Sequence, residues 1–284
     1  MKGPVRTKFA PDAPQWPAIN EATEAVSLDP HDRAAKLVLA RTLTTHGRFE
    51  EASKVVNDLK TTDLKDLAVI ELDGVVAQGL GRLADAAAAF AQAVALKDNA
   101  LDPRRLANTQ MRLGRTDEAA KTLTTWLGAH PEDNQTRRVW ANICVKDGQL
   151  AAAGEQYAEL VRREPKDPSL QNNLAWILAR LGRSEAALAH ARTAVTLAPE
   201  SVDFLDTLGG VLLRSGNAAE AVDPLNKAWE KSPGRLEIGY HLSQALAATG
   251  KKDDALALLR RLLAGKDPFA ERAQAQDLLR QIGG

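Results

Sequence analysis

The chain is poor in most of what a cross-linked, metal-bound or membrane-spanning protein needs. It has a single cysteine, Cys144, so neither an intramolecular disulfide nor a thiolate metal cluster can form. Aromatic residues are only 4% of the chain while alanine is plentiful, which favours closely packed helices over a β-sandwich. Charge of one sign is missing too. Lys plus Arg number 37 and Asp plus Glu number 37, so the positive excess with which nucleic-acid readers neutralise phosphate is absent. Long apolar runs are lacking. The stretch Leu83–Leu96 comes nearest, and Asp85 and Gln92 interrupt it well short of the ~20 residues a membrane helix needs. The opening Met1-Lys2-Gly3-Pro4 leads into a polar stretch with no secretory apolar region, so any leader is expected to have been removed from a longer gene product.

What is present is a folded composition, 44% apolar and 26% charged, which excludes wholesale disorder. A length of 284 residues implies two domains of ~100–200 residues or one repetitive array. The array is written in the glycines. They stand at Gly47, Gly81, Gly114, Gly148, Gly182, Gly216 and Gly250, at steps of 34, 33, 34, 34, 34 and 34. Alanines follow five residues behind each, from Ala52 and Ala86 to Ala221 and Ala255. Pro131, Pro165, Pro199 and Pro233 keep the same step. Three registers in phase make a seven-fold repeat.

Within one unit the pattern predicts helix, turn, helix. Leu170, Leu174, Ile177, Leu178 and Leu181 follow helical spacing from Ser169 to Leu181. Gly182 ends that helix in the left-handed region, and Ser184 is the expected N-cap of a second helix running to Leu197. Ala187, Ala191 and Ala194 give the second helix a small-residue face for close approach. A unit reading L-A-W-x-L-x-x-x-G-x-x-x-x-A with a closing proline resembles the tetratricopeptide repeat. Leu174-Ala175, Leu208-Gly209 and Leu242-Ser243 match its leucine–small pair, and Gly182, Ala187, Ala194 and Pro199 match its turn, second-helix and closing positions.

The resemblance implies an all-α, right-handed superhelical solenoid of helix-turn-helix repeats. The expected organisation is an irregular proline-containing segment over 1–14, the second helix of an interrupted repeat over 15–32, seven repeats over 33–267 and a capping helix over 268–284. Units one and two are less regular: Leu64 stands where a proline would, and one residue is missing between Gly81 and Gly114. The last helix, expected from Ala270 to Ile282, carries many polar residues and suits the end of a solenoid. Gly283-Gly284 is expected to be a natural end, whereas the orphan first helix reads as cut from a longer array and offers a face for dimerisation.

No catalytic constellation emerges, and neither a cofactor nor a metal is expected. His31, His46, His130, His190 and His241 form no i, i+4 pair, and Gly79-Leu80-Gly81-Arg82 lacks the Lys-Ser/Thr of a phosphate loop. Cys144 falls at an inward-looking position and reads as inert packing. The reading is therefore a non-enzymatic scaffold. In the resembling architecture the first helices line a concave face, and their recurring outward positions here are Arg104 and Asn108, Arg138 and Asn142, Asn172 and Trp176, Asp206 and Gly210, and Tyr240 and Gln244. Asn173 lies beside them. The candidate partner-binding residues are Arg104, Asn108, Arg138, Asn142, Asn172, Asn173, Trp176 and Tyr240. Their ligand is expected to be an extended acidic or polar protein segment, with its negative part against the arginines and Trp176 over an apolar group; a polysaccharide is the second ligand class. The two-carboxylate clamp of chaperone adaptors is matched by Arg138, Asn142 and Asn173, but Asp203 and Thr207 stand where its last bases belong.

A narrower likeness covers Gln171–Ala264. There Asn172-Asn173-Leu174-Ala175-Trp176, Leu205-Asp206-Thr207-Leu208-Gly209 and Tyr240-His241-Leu242 resemble the terminal repeats of exopolysaccharide-associated lipoproteins of the bacterial PEP-CTERM/exosortase system. It implies a scaffold in an envelope assembly for exopolysaccharide export or protein sorting, lipid-anchored in the periplasm. The alternatives are a cytoplasmic adaptor and the repeat arm of a larger enzyme such as a glycosyltransferase.

Overall fold

A computed structural model describes residues 17–63, 65–96, 101–265 and 268–283; segment 1–14, Leu64 and Gly284 lie outside them. Every regular element among the described residues is an α-helix, and the chain divides into two compact units. The first, ending at Asp133, holds α1 (Pro17–Leu28), α2 (Arg33–Thr45), α3 (Phe49–Lys60), α4 (Leu67–Gly79), α5 (Leu83–Leu96), α6 (Leu101–Arg112) and α7 (Thr116–Ala129). The second, from Asn134, holds α8 (Asn134–Lys146), α9 (Leu150–Arg163), α10 (Pro168–Arg180), α11 (Ser184–Leu197), α12 (Val202–Arg214), α13 (Ala218–Lys231), α14 (Leu236–Ala248), α15 (Lys252–Ala264) and α16 (Arg272–Gly283). Even-numbered helices from α2 to α14 pack on the odd-numbered helix that follows, and within each unit successive hairpins stack, with α16 on α15. The fold is an all-α solenoid of tandem helix-turn-helix repeats.

The α10–α11 hairpin shows why the sequence folds this way. Asp167 caps α10: its carboxylate accepts from Ser169 N–H at 2.9 Å and Leu170 N–H at 3.2 Å, while Pro168 occupies the first turn, where no N–H is needed. At the other end Gly182 takes φ +74°, and the Arg183 N–H reaches back to the Leu178 carbonyl at 2.9 Å. This closure moves the next cap one residue earlier than expected. Arg183, not Ser184, is the N-cap of α11; its carbonyl accepts from the Ala187 N–H at 3.0 Å, and no side chain caps the helix.

Packing then follows size. Ala187, Ala191 and Ala194 are buried, so α11 approaches its neighbours with only methyl groups between backbones. Gly209 does the same for α12, where a Cβ would lie 2.3 Å from Leu225 Cγ on α13. Leu170, Ile177, Leu225, Ile238 and Leu259 fill the second unit, each fully buried apolar side chain contributing about 1.5–3 kcal/mol. At its end Leu278, Leu279 and Ile282 of α16 pack on the cluster that contains Leu246 and Leu259. α16 begins at Arg272, two residues later than the sequence suggests; there the Arg272 guanidinium donates to the Leu263 and Gly265 carbonyls at the end of α15.

Candidate binding groove

Helical spacing places Ser169, Asn172, Asn173 and Trp176 on neighbouring positions of one face of α10. With Asn142, Val145 and Lys146 of α8, Tyr157 of α9 and Asp203, Phe204, Asp206 and Thr207 of α12, they line an open groove of about 710 Å³ in the second unit. Tyr157 organises its floor. Its hydroxyl donates to Asn142 Oδ1 at 2.6 Å and accepts from Asn173 Nδ2 at 3.2 Å. One phenol thus ties α8 to α10. Burial pushes the Tyr157 pKa up, against a smaller lowering by the Asn173 hydrogen bond and Arg138, so the phenol stays protonated to donate.

Asn172 differs from its two companions. Its Oδ1 is buried and has no hydrogen-bond partner, the arrangement that carries the highest cost for a carbonyl withdrawn from water. Trp176 beside it is 38% exposed, and the Arg180 guanidinium lies 5.1 Å from its ring centroid. The far wall is charged but internally paired. Asp203 accepts from Arg235 at 2.5 Å, and Asp206 accepts from His241 Nδ1 at 2.8 Å. Burial opposes the charged imidazole of His241, yet the hydrogen bond and charge of Asp206, with Glu271 adding and Arg214 opposing, hold its pKa above the ordinary value.

The other expected site residues go elsewhere. Arg138 points into an ion pair with Glu164 at 2.5 Å and Asp167 at 3.0 Å, linking α8 to the start of α10 rather than facing a ligand. Burial opposes its charge, and the two carboxylates more than compensate, raising its pKa further. Tyr240, expected on the groove surface, is 8% exposed, its hydroxyl accepting from Gln244 Nε2 at 3.0 Å; it belongs to the apolar cluster that α16 joins. Arg104 and Asn108 lie on α6 in the first unit, Arg104 half-buried and Asn108 exposed. Cys144 is fully buried, and desolvation with Asp147 pushes its thiol up to about 11. No group of three His, Cys, Asp or Glu side chains among the described residues could hold a metal ion.

Sequence reasoning missed Tyr157. The signal was available: Leu123, Ala191 and Leu225 occupy the same register one or two repeats away, and a phenol in that series needs a polar partner.

A tetratricopeptide repeat profile matches residues 18–72, 77–143 and 212–282, more than half of the chain, and a second tetratricopeptide repeat profile matches 138–202 and 172–235. The chain belongs to the tetratricopeptide repeat family. Such repeats are modules for protein and peptide interaction, not enzymes. Among curated relatives, this tetratricopeptide repeat chain is 24% identical over 159 residues to Hsp70-Hsp90 organizing protein 2 of Arabidopsis thaliana, covering 56% of the chain and 28% of the relative. It is 30% identical over 141 residues to the cytochrome c-type biogenesis protein CycH of Bradyrhizobium diazoefficiens, covering 48% of the chain and 38% of that protein. The chain therefore spans well under half the length of these relatives. Among solved structures, the C-terminal part of a repeat-containing protein from Cytophaga hutchinsonii superposes with a TM-score of 0.67 at 15% identity, over 86% of this chain and 99% of that one. YrrB, described as having an unusual peptide-binding site, gives 0.52 at 18% identity, over 66% of this chain and 97% of that one. At these identities the likeness is one of fold.

Proposed function

We propose that the second-unit groove binds an extended peptide segment and that the chain works as a scaffold by holding it. The observation that carries this reading is the pairing of an exposed indole, Trp176, with a buried carbonyl acceptor, Asn172 Oδ1, that lacks a donor. Both are unfavourable in the free protein, and both are relieved by a segment that lays an apolar side chain on the ring while the Asn172 amide turns to present its oxygen to a peptide N–H. An array of immobilised random-sequence peptides, probed with the wild type, Asn172→Ala and Trp176→Ala, tests it. Each variant is expected to lose most of the wild-type signal; unchanged patterns in both would remove the groove from consideration.

The similarity to Hsp70-Hsp90 organizing proteins favours a chaperone-adaptor role over other peptide readings only if the groove can hold carboxylate pairs. Arg138 is already neutralised by Glu164 and Asp167, and Asp203 and Thr207 replace the remaining bases, so that role is not our reading. We place the scaffold in a bacterial envelope assembly for exopolysaccharide export or protein sorting, lipid-anchored in the periplasm. The resemblance of Gln171–Ala264 supports this, and the similarity to a bacterial cytochrome c-type biogenesis protein supports a bacterial setting. Fractionation of native cells with an antibody to the chain tests it: recovery in the cytoplasm would exclude the envelope. Dimerisation through α1 is supported by Leu28, 81% exposed at its end, and concentration-dependent sedimentation tests it.

A further inference from the structure

The groove's charges do not all cancel. Asp203 is answered by Arg235 and Asp206 by His241, and the nearby Arg138 is taken up by Glu164 and Asp167. Lys146, exposed at the end of α8 and lining the same groove, makes no ion pair among the described residues. Lys146 is thus the cation on the groove wall that has no carboxylate partner among the described residues. Further along, Trp176 and the half-buried Phe204 present apolar surface from α10 and α12. A ligand that completes this surface supplies three things: an N–H for Asn172 Oδ1, an anion for Lys146 and an apolar side chain for the two rings.

Resting on the peptide-groove reading, we infer that the groove selects an extended segment carrying a carboxylate side chain about three residues from an apolar or aromatic one, the carboxylate meeting Lys146 and the apolar side chain lying on Trp176 and Phe204. A carboxylate three residues from the apolar side chain stands about 10 Å from it on an extended chain, and this is the separation the peptides below carry. The amide backbone supplies the donor for Asn172 at no extra requirement on sequence. A neutral sugar satisfies the ring and the acceptor but leaves Lys146 unmatched. This moves the anion-binding role from the arginines, where the sequence suggested it, to a lysine one helix turn beyond Asn142.

The test uses the whole chain and fluorescein-labelled dodecapeptides of a Gly/Ser host with Glu and Phe three residues apart. Companion peptides carry Lys for Glu or Ala for Phe, and an oligogalacturonate serves as the acidic-polysaccharide probe. In polarisation titrations the Glu/Phe peptide is expected to bind best. Lys146→Ala should weaken it roughly two- to fivefold, the range of an exposed ion pair, and abolish discrimination between Glu and Lys peptides. Lys146→Glu should reverse the preference, while about 1 M salt should weaken the wild type and leave Lys146→Ala unchanged. Trp176→Ala should weaken binding about thirtyfold, as for a central aromatic anchor. If Glu and Lys peptides bind alike and Lys146→Ala changes neither, while Trp176→Ala still loses binding, the charge assignment is overturned and the groove stands. If neither Trp176→Ala nor Asn172→Ala matters, the groove reading falls and this inference with it. Binding of oligogalacturonate alone overturns the peptide assignment, and binding of no probe overturns both. Lys146 is exposed, so its variants fold; circular dichroism verifies this for all.

Discussion

Arg138 on α8 reaches Asp167, the carboxylate that caps α10, at 3.0 Å, so one guanidinium holds the start of the next repeat's first helix. A similar link recurs in the first unit, where Arg33 of α2 pairs with Asp66, the cap of α4. In both places a cation from one first helix secures a cap that already holds two backbone N–H groups.

Arg138→Ala is therefore expected to lower stability by about 0.5–1 kcal/mol, the worth of a partly exposed pair, read as a shift in urea midpoint. Burial disfavours the charged Asp167, but Arg138 and the N–H groups of Leu170 and Ser169 hold its pKa below the usual value. Its contribution is then complete above the unfolded carboxylate pKa of about 3.9 and disappears as pH falls through the lower folded value. Asp167→Ala should flatten that acid limb; an unaltered limb would assign it to other carboxylates.

The glycines separate two kinds of cost. At Gly182 nothing lies within 4 Å of an added Cβ, yet φ is +74°, so Gly182→Ala should cost on the order of 1 kcal/mol from backbone conformation alone. At Gly209 the backbone is helical, but a Cβ would press into Leu225, so Gly209→Ala should cost about 1–3 kcal/mol from overpacking. Leu225→Ala in the same chain should relieve part of the second cost and none of the first, as a double-mutant cycle would show.

His241 gives the opposite pH signature to Asp167. Its folded pKa is raised, so its contribution is complete below the unfolded pKa of about 6.5 and is lost as pH rises through the higher folded value. Asp206 accepts its proton-bearing nitrogen, with Glu271 and Arg214 acting from nearby, so both His241→Gln and Asp206→Asn should flatten the urea midpoint across that range. An equal slope in wild type and variants would show that this pair is not what titrates.

Removing α16 exposes the apolar face around Leu246 and Leu259 that Leu278, Leu279 and Ile282 cover. The chain ending at residue 267 should lose on the order of 3 kcal/mol and associate in sedimentation. A monomer of unchanged stability would show that the last face needs no cover.

Among the described residues the helix-turn-helix repeat was legible because the glycine register spells it out. All seven in-register glycines adopt φ between +73° and +80°, and the in-register alanines from Ala52 to Ala255 are all buried. The groove was legible only in part. Asn142, Asn172, Asn173 and Trp176 do converge, since helical register alone puts them on one wall. Where Arg138 points was not, because its partners Glu164 and Asp167 come from the following turn, and the period says nothing of which side chains meet across it. Tyr240 was misjudged for a related reason: α16 lies outside the repeat, and a position half-buried in the earlier units, from Arg104 to Asp206, is buried in the last.

The bare space around the turn glycines has a consequence for how such a chain changes over time. The first five of the seven turn glycines take φ of +73° or +74°, the last two +77° and +80°, and nothing lies within 4 Å of a Cβ added at any of them. Each turn is thus a joint that recognises nothing beyond itself. A unit of 34 residues can be duplicated or excised at these joints while every hairpin beyond the two that flank the change keeps the contacts it had, because those contacts run mainly to its immediate neighbours. Such a protein lengthens or shortens its ligand track by whole steps, whereas a compact core would have to be rebuilt around every insertion.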